Sequence, residues 1–435
     1  MSNFDLVIQL FLQLTVILAT CRIVTILGRR YLGQTDVVCE MIAGVMLGPS
    51  LLGLIAPDFQ QWLFPKLPII TAVGLKIPNP SMSILYAISQ IGLAIYMFLI
   101  GLEFNTKLLK HHIKSASLLS AAGIITPFIL GAIASFWFYH NGDFFQPKVT
   151  PWSAALYLGA SMTITAFPML ARILYERGLA QTRFGTLALG AASVDDAVAW
   201  CLLAIVLASV KNSLSIAILA IAGGICYVLF AIFLGQPLLR AFTRMTKRDA
   251  GVNKQTLTLM LIILMFCAWF TDVTGIYAIF GAFVLGAVTP RGEFAQQIRQ
   301  HTEFLTTSFL LPIFFVFSGL NTQIGLVNTP TLWGITFLII AMPTAVNYAI
   351  LGKGVACMLA AKLAGENWRE SATIGALMNA RGLMELIILN IGLEQGVITP
   401  TLFTIMVIMA VITTLMASPL IAFLLQGTSY EKYSA

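Results

Sequence analysis

Long apolar stretches alternate with short polar ones along nearly the whole chain. The hydrocarbon core of a bilayer asks for about 20 apolar residues per crossing helix. Thirteen stretches approach that pattern, at about 4–28, 37–55, 81–103, 115–139, 151–175, 184–210, 213–239, 255–273, 275–290, 302–320, 332–361, 371–392 and 400–425. Those at 275–290 and 302–320 are short for a crossing. The polar connections between them hold most of the Lys and Arg. With the N-terminus outside and sides alternating, 18 basic residues fall inside, among them Arg29, Arg30, Lys107, Arg183, Arg240, Arg244, Arg299 and Lys362. Only Lys66, Lys76, Lys148 and Lys211 fall outside. Such a bias is how helical membrane proteins record their orientation.

Composition agrees with that reading. The chain has 435 residues, 58% hydrophobic and 10% charged, where soluble domains run at about 45–50% and about 25%. A mean hydropathy of +0.90 makes lipid the solvent of most of its surface. The net charge of +7 is then a topology signal and not a nucleic-acid footprint. Cys21, Cys39, Cys201, Cys226, Cys267 and Cys357 are scattered through apolar segments without a CxxC or a nearby histidine, and read as small buried hydrophobes. Asn3 and Asp5 open the chain where a signal peptide would be basic, so the first stretch reads as a retained transmembrane helix.

Related strings recur in the same order. Ile42-Ala-Gly-Val-Met-Leu-Gly-Pro49 in the second stretch matches Phe280-Gly-Ala-Phe-Val-Leu-Gly-Ala-Val-Thr-Pro290 in the ninth. Ile95-Tyr-Met-Phe-Leu-Ile-Gly-Leu-Glu-Phe-Asn105 in the third matches Ile313-Phe-Phe-Val-Phe-Ser-Gly-Leu-Asn321 in the tenth. The expected organisation is one transmembrane domain over 1–427: a first repeat at about 1–211, a linker helix at about 213–239, a second repeat at about 255–426, and a short tail at 428–435. The copies enter the membrane from opposite sides, so they are inverted, which is the architecture of secondary transporters with midplane sites. Two helices are expected to break. One carries Ser161-Met-Thr-Ile-Thr-Ala-Phe-Pro168, where proline removes a donor; the other carries Met378-Asn-Ala-Arg-Gly-Leu-Met-Glu385.

Candidate chemistry lies in the charges within these stretches: Asp195, Asp196, Lys353, Arg381 and Glu385. Each costs roughly 2.5–3.5 kcal/mol to insert, so a structure without a use for them would lack them. Adjacent helical residues point about 100° apart, so Asp195 and Asp196 divide the work: one pairs with a base on a neighbouring helix while the other faces a cavity. Two close carboxylates repel when both are ionised, and the pair therefore holds either protons or one small cation. A buried Lys353 needs a carboxylate, and the two aspartates are the candidates. Thr163 and Thr165 offer oxygen to a hard cation, or simply brace their helix. Arg381 and Glu385 stand four apart and can pair on one face. Arg22 can snorkel to an interface. Glu40, Glu103 and Asp272 lie near span ends and His111, His112, His140 and His301 in or beside connections, where structural or solvated roles come first.

The ordered set Glu40 with Leu47-Gly-Pro49, Gly101-Leu-Glu103, Thr163-Ile-Thr-Ala-Phe-Pro168, Asp195-Asp196, Gly352-Lys353-Gly354 and Asn379-Ala-Arg-Gly-Leu-Met-Glu385 resembles the monovalent cation:proton antiporters. The relevant branch includes bacterial sodium/proton antiporters, glutathione-gated potassium efflux proteins and plant cation/proton exchangers. The resemblance covers the full chain. It implies an all-α membrane protein of about 13 helices in two inverted six-helix repeats with broken crossing helices. It also implies a dimer domain (first to third and eighth to tenth spans), a core domain (fourth to sixth and eleventh to thirteenth), an elevator-like motion and a homodimer. Asp196 then falls on the principal cation ligand, with Thr163 and Thr165 near it. Asp195 falls on the partner that releases Lys353 when the cation binds, and Arg381, Glu385 and Ser193 on supporting positions. Aspartate at the first position favours electrogenic Na+/H+ exchange, with K+/H+ exchange as the alternative. No cofactor, enzymatic activity or nucleic-acid partner is implied. The expected setting is a bacterial inner membrane with a cytoplasmic C-terminus.

Other functions fit less well. An intramembrane aspartyl protease needs its carboxylates on separate helices and a GxGD string, which is absent. An organic-anion transporter of this architecture would present helix N-termini and cations in place of a carboxylate pair. A channel does not call for two inverted half-sites.

Overall fold

A computed structural model of the chain describes residues 3–32, 34, 36–65, 69–70, 76–77, 79–103, 113–165, 167, 170, 173–174, 178–179, 182–210, 214–248, 252–275, 277–320, 322, 324–326, 330, 332, 352–381 and 383–426. The expected features at Pro168, Gly382, His111, His112, 333–351 and the tail lie outside these residues, as do the side chains of Ser193 and Asp196. The protein is an all-helical membrane protein. Among the described residues eight helices are long and apolar enough to cross a bilayer: Phe4–Tyr31, Val38–Ile55, Pro80–Glu103, Lys114–His140, Ile221–Thr243, Lys254–Val273, Glu293–Leu320 and Pro400–Leu425. Ala278–Val288 is a shorter apolar helix. The described strand pairing is one antiparallel contact of Ile69–Ile70 with Lys76–Ile77 and a bridge from Phe145 to Ile398.

Helix Ile113–Asn141 shows how sequence becomes structure in this solvent. Ala116, Leu119, Ser120, Gly123, Pro127, Gly131, Ser135 and Phe138 are buried, all but the adjacent Leu119 and Ser120 following one another at spacings of three and four. Ile125, Ile129 and Ile133 stand a turn apart and are more than half exposed. The inner face carries the small and polar residues, and the outer face carries isoleucine. Water would reverse that arrangement; lipid selects it, because small residues and hydroxyls are what let helices approach in a medium as apolar as leucine.

The expected fifth and twelfth spans are interrupted. Helix Pro151–Thr163 is capped by Thr150, whose hydroxyl accepts from the Ser153 N–H, and ends twelve residues short of the expected boundary. The other interruption separates Trp368–Met378 from Leu383–Glu394. The expected linker is longer than its apolar stretch: Leu214–Phe230, a π-turn at Ala231–Gly235 and Gln236–Arg248 follow one another without a gap.

The chain divides into two compact units. The first contains 1–18, 61–106 and 211–317, and the second 19–60, 107–210 and 318–435. Residues 37–55, which the resemblance assigned to a dimer domain, thus belong with the unit that holds Asp195 and Lys353. Among the described residues each unit contains a close helix crossing made by glycines. In the first, helix Pro80–Glu103 meets Ala278–Val288, where a Cβ on Gly101 would lie 2.9 Å from the Gly286 Cα and one on Gly286 would lie 2.8 Å from the Gly101 Cα. In the second, a Cβ on Gly319 would lie 2.6 Å from the Gly44 Cα, and one on Gly48 would lie 2.9 Å from the Gly319 carbonyl oxygen.

At these crossings a methyl group meets backbone, which cannot rotate away. Gly101→Ala and Gly286→Ala are each expected to cost about 1–3 kcal/mol through overpacking. Gly325→Ala, with nothing within 4 Å of the added carbon, should leave stability unchanged. Thermal unfolding of the three variants in detergent checks this; an unshifted Gly286→Ala midpoint contradicts it.

Candidate cation-exchange site

Asp195 sits near the middle of helix Arg183–Val210 with 2% of its surface exposed. Its Oδ1 accepts a hydrogen bond of 2.6 Å from the Ser120 hydroxyl. Its Oδ2 accepts from the Thr165 hydroxyl at 2.7 Å and from Lys353 Nζ at 3.0 Å. Lys353 is completely buried, on a π-helical turn at 352–355 that leads into Ala356–Leu363. Its ammonium also donates to the Thr163 carbonyl. Gly123 makes room for the pair: a Cβ there would lie 3.5 Å from Asp195 Oδ2, 3.6 Å from Lys353 Cε and 2.9 Å from Cys357 Sγ.

The second buried pair lies at the same break. A helix end leaves carbonyls without partners, and no water is at hand in the membrane interior to meet them. At the end of Pro151–Thr163 the Arg381 guanidinium donates to the carbonyls of Ser161 (3.4 Å) and Met162 (3.0 Å). Lys353 takes the next one, on Thr163. Both cations thus stand at the negative end of that helix dipole. Arg381 also pairs with Glu385 at 3.1 Å, with both side chains fully buried. Glu385 occupies the first turn of Leu383–Glu394, where a negative charge suits the dipole. Thr414 fastens the unwound strand, accepting from the Arg381 N–H at 3.1 Å and donating to the Arg381 carbonyl. Among the described residues, Asn379 Oδ1, Arg381 Nε and Glu385 Oε1 are buried without a hydrogen-bond partner.

The structure therefore brings Asp195, Lys353, Thr163 and Thr165 together, with Arg381 and Glu385 at the same helix end. Asp196 follows Asp195 on the same helix. Thr163 contributes through its carbonyl, because its hydroxyl donates to Ala160 at 2.6 Å. Sequence reasoning missed Ser120, Gly123 and Thr414. The first two lie in the run Ser115-Ala-Ser-Leu-Leu-Ser-Ala-Ala-Gly123, whose density of small residues was the available signal.

The family model described as sodium/hydrogen exchanger, transmembrane, matches residues 15–427. The chain is 41% identical over 412 residues to the Na(+)/H(+) antiporter NhaS4 of Synechocystis sp., covering 94% of this chain and 95% of that one. It is 31% identical to the K(+)/H(+) antiporter 1 of Saccharomyces cerevisiae, covering 96% of this chain but only 46% of the yeast protein. Its fold is similar to that of the sodium proton antiporter MjNhaP1 from Methanocaldococcus jannaschii, with a TM-score of 0.65, 16% identity and 95% of each chain covered.

Breaking a buried ion pair on one side strands the other charge, at a cost of about 3–5 kcal/mol. Lys353→Met and Asp195→Asn should each destabilise the folded protein by that order. The double variant should fall well short of their sum, since it leaves no charge behind. Unfolding of the three variants in detergent measures the coupling, and additive losses would contradict the pairing.

Proposed function

The chain belongs to the sodium/hydrogen exchanger family, a family of transporters and not of enzymes, and from that premise we propose that it exchanges protons for a monovalent cation across a membrane. The observation that carries this reading is the Asp195–Lys353 pair at the end of a broken helix, one residue from a second aspartate. In the proposed cycle Asp196 is the cation's principal ligand. The carbonyl and hydroxyl oxygens of the break, Thr163 and Thr165 among them, stand in for water around a cation with an affinity for oxygen. Asp195 holds Lys353 while the site is empty and releases it as the cation binds, so that cation and proton compete for one set of charges. Ser193 is proposed as a supporting residue on the same helix, and Arg381 with Glu385 as the brace of the break. No cofactor enters this scheme.

Na+ is the favoured cargo, with two adjacent aspartates and a lysine pointing to electrogenic exchange. The similarity to a yeast protein named as a K(+)/H(+) antiporter supports K+ as the second reading. About 13 spans in two inverted repeats complete the proposal. Its support is the reciprocal pattern of glycine crossings: the third span packs on the ninth through Gly101 and Gly286, and the tenth on the second through Gly319, Gly44 and Gly48. The matched strings of the sequence pair the second span with the ninth and the third with the tenth, so the two crossings are equivalents of each other. Elevator-like movement of the unit holding Asp195, a homodimer, and an N-terminus outside a bacterial inner membrane belong to the same reading.

Purified protein in vesicles should move protons against Na+, Li+, K+ or Rb+, and the cation that drives the flux at the lowest concentration identifies the cargo. Asp196→Asn should remain folded and lose exchange; sodium- or potassium-driven flux surviving in it would overturn the assignment. Lys353→Ala, assayed in the fraction that assembles, should change the charge moved per cycle or the pH profile; an unchanged stoichiometry and pH profile would make the lysine structural.

A further inference from the structure

Helix Arg183–Val210, which carries the aspartates, and helix Ala356–Leu363, which follows Lys353, both lie against helices Ile113–Asn141 and Trp368–Met378. Their relative height is thus set through intermediaries and by side chains that reach across. One such link is the Lys353–Asp195 pair itself, and a second lies at the end of these helices. Arg183 Nε stands 2.7 Å from Glu366 Oε1, with the Glu366 side chain 2% exposed and the Arg183 side chain 61% exposed.

Both residues are held by backbone structures that leave them little choice of position. Arg183 is the first residue of its helix, directly after Thr182, whose hydroxyl accepts from the Gly185 N–H at 3.1 Å as an N-cap. Glu366 closes the other helix. The Glu366 N–H reaches the Ala361 carbonyl at 3.1 Å and the Gly365 N–H reaches the Lys362 carbonyl at 3.1 Å, the paired bonds of a Schellman motif. Gly365 takes the left-handed conformation that the motif requires, with φ of 94°. Lys362 Nζ donates to the Glu366 carbonyl at 3.2 Å. Asn367 then starts the next helix at once, its side chain accepting from the Glu370 N–H at 2.9 Å. A cap on one side and two caps back to back on the other fix the backbone positions from which the two charges project.

We infer that Arg183 and Glu366 are a positioning pair, which holds the aspartate helix and the lysine helix at the height where Asp195 and Lys353 meet. Arg183 precedes Asp195 by twelve residues and Glu366 follows Lys353 by thirteen, so the two bridges lie about 18 Å apart along the helices. The inner bridge can then open for a cation while the outer one keeps the helices in register. This inference rests on the antiport reading of the same site.

The test measures exchange in vesicles for Arg183→Gln, Glu366→Gln and the charge-swapped Arg183→Glu/Glu366→Arg, each first shown to be folded by size-exclusion chromatography. Misplacing reacting groups by about 1 Å can cost about 10²-fold, so the smaller displacement expected here should change the apparent KM for the cation by several-fold. Each single variant should show such a change together with a displaced pH profile, and the swapped variant should return both towards the parent. Arg183 is mostly exposed, so Arg183→Gln remains informative if Glu366→Gln does not fold. Single variants with the parent's KM and pH profile overturn the inference, as does a swapped variant no better than the singles. A parent chain that exchanges no cation at all fails the antiport reading instead.

Discussion

A helix that stops inside a membrane exposes carbonyl groups to a medium that cannot hydrate them, and here three successive carbonyls, on Ser161, Met162 and Thr163, are met by Arg381 and Lys353. The break cannot exist without cations, and the cations cannot be buried without carboxylates. Asp195 and Glu385 supply these. One broken helix thus accounts for four of the five ionisable residues that stand out in the apolar stretches. The glycine at 123 and the hydroxyls at 120 and 165 follow from having to fit and satisfy what was placed there.

The charged part of this arrangement was legible in the sequence, because a lone Asp, Lys or Arg in a run of apolar residues is conspicuous. So was the existence of the break, from Pro168 and from the Asn379-Ala-Arg-Gly382 string. Its geometry was not legible. The sequence records side chains, whereas the groups that hold Lys353 and Arg381 on that side are carbonyls, which every residue has. Thr163 shows the difference, since its hydroxyl is spent on its own helix and its backbone oxygen takes the lysine. Ser120 and Gly123 could not be singled out either, since serine and glycine are common wherever membrane helices pack.

The division into units was harder still to read. Hydropathy marks segments, and resemblance groups them, but neither weighs one packing contact against another. Residues 37–55 join the unit of Asp195 in the structure, where helix Asp36–Leu47 packs on Pro400–Leu425 and Gly319 comes to backbone contact with Gly44 and Gly48. The contact of Gly101 with Gly286 lies wholly in the other unit. Two glycines in weakly matching strings are little to notice in a sequence, yet they fix where the closest approaches fall.

The hydrogen bonds of Asp195 bear on speed as well as on stability. A carboxylate buried with a single cationic partner would be trapped, because separating the charges would expose it bare to a poorly polarisable interior. Asp195 keeps two hydroxyl donors that do not depend on the ammonium, one on each oxygen. Each hydrogen bond to a charged group is worth roughly 1.5–3 kcal/mol, and in the proposed cycle both would persist as Lys353 departs. On that reading the activation barrier for parting the pair would fall accordingly, and with it the time the site would wait between one occupant and the next.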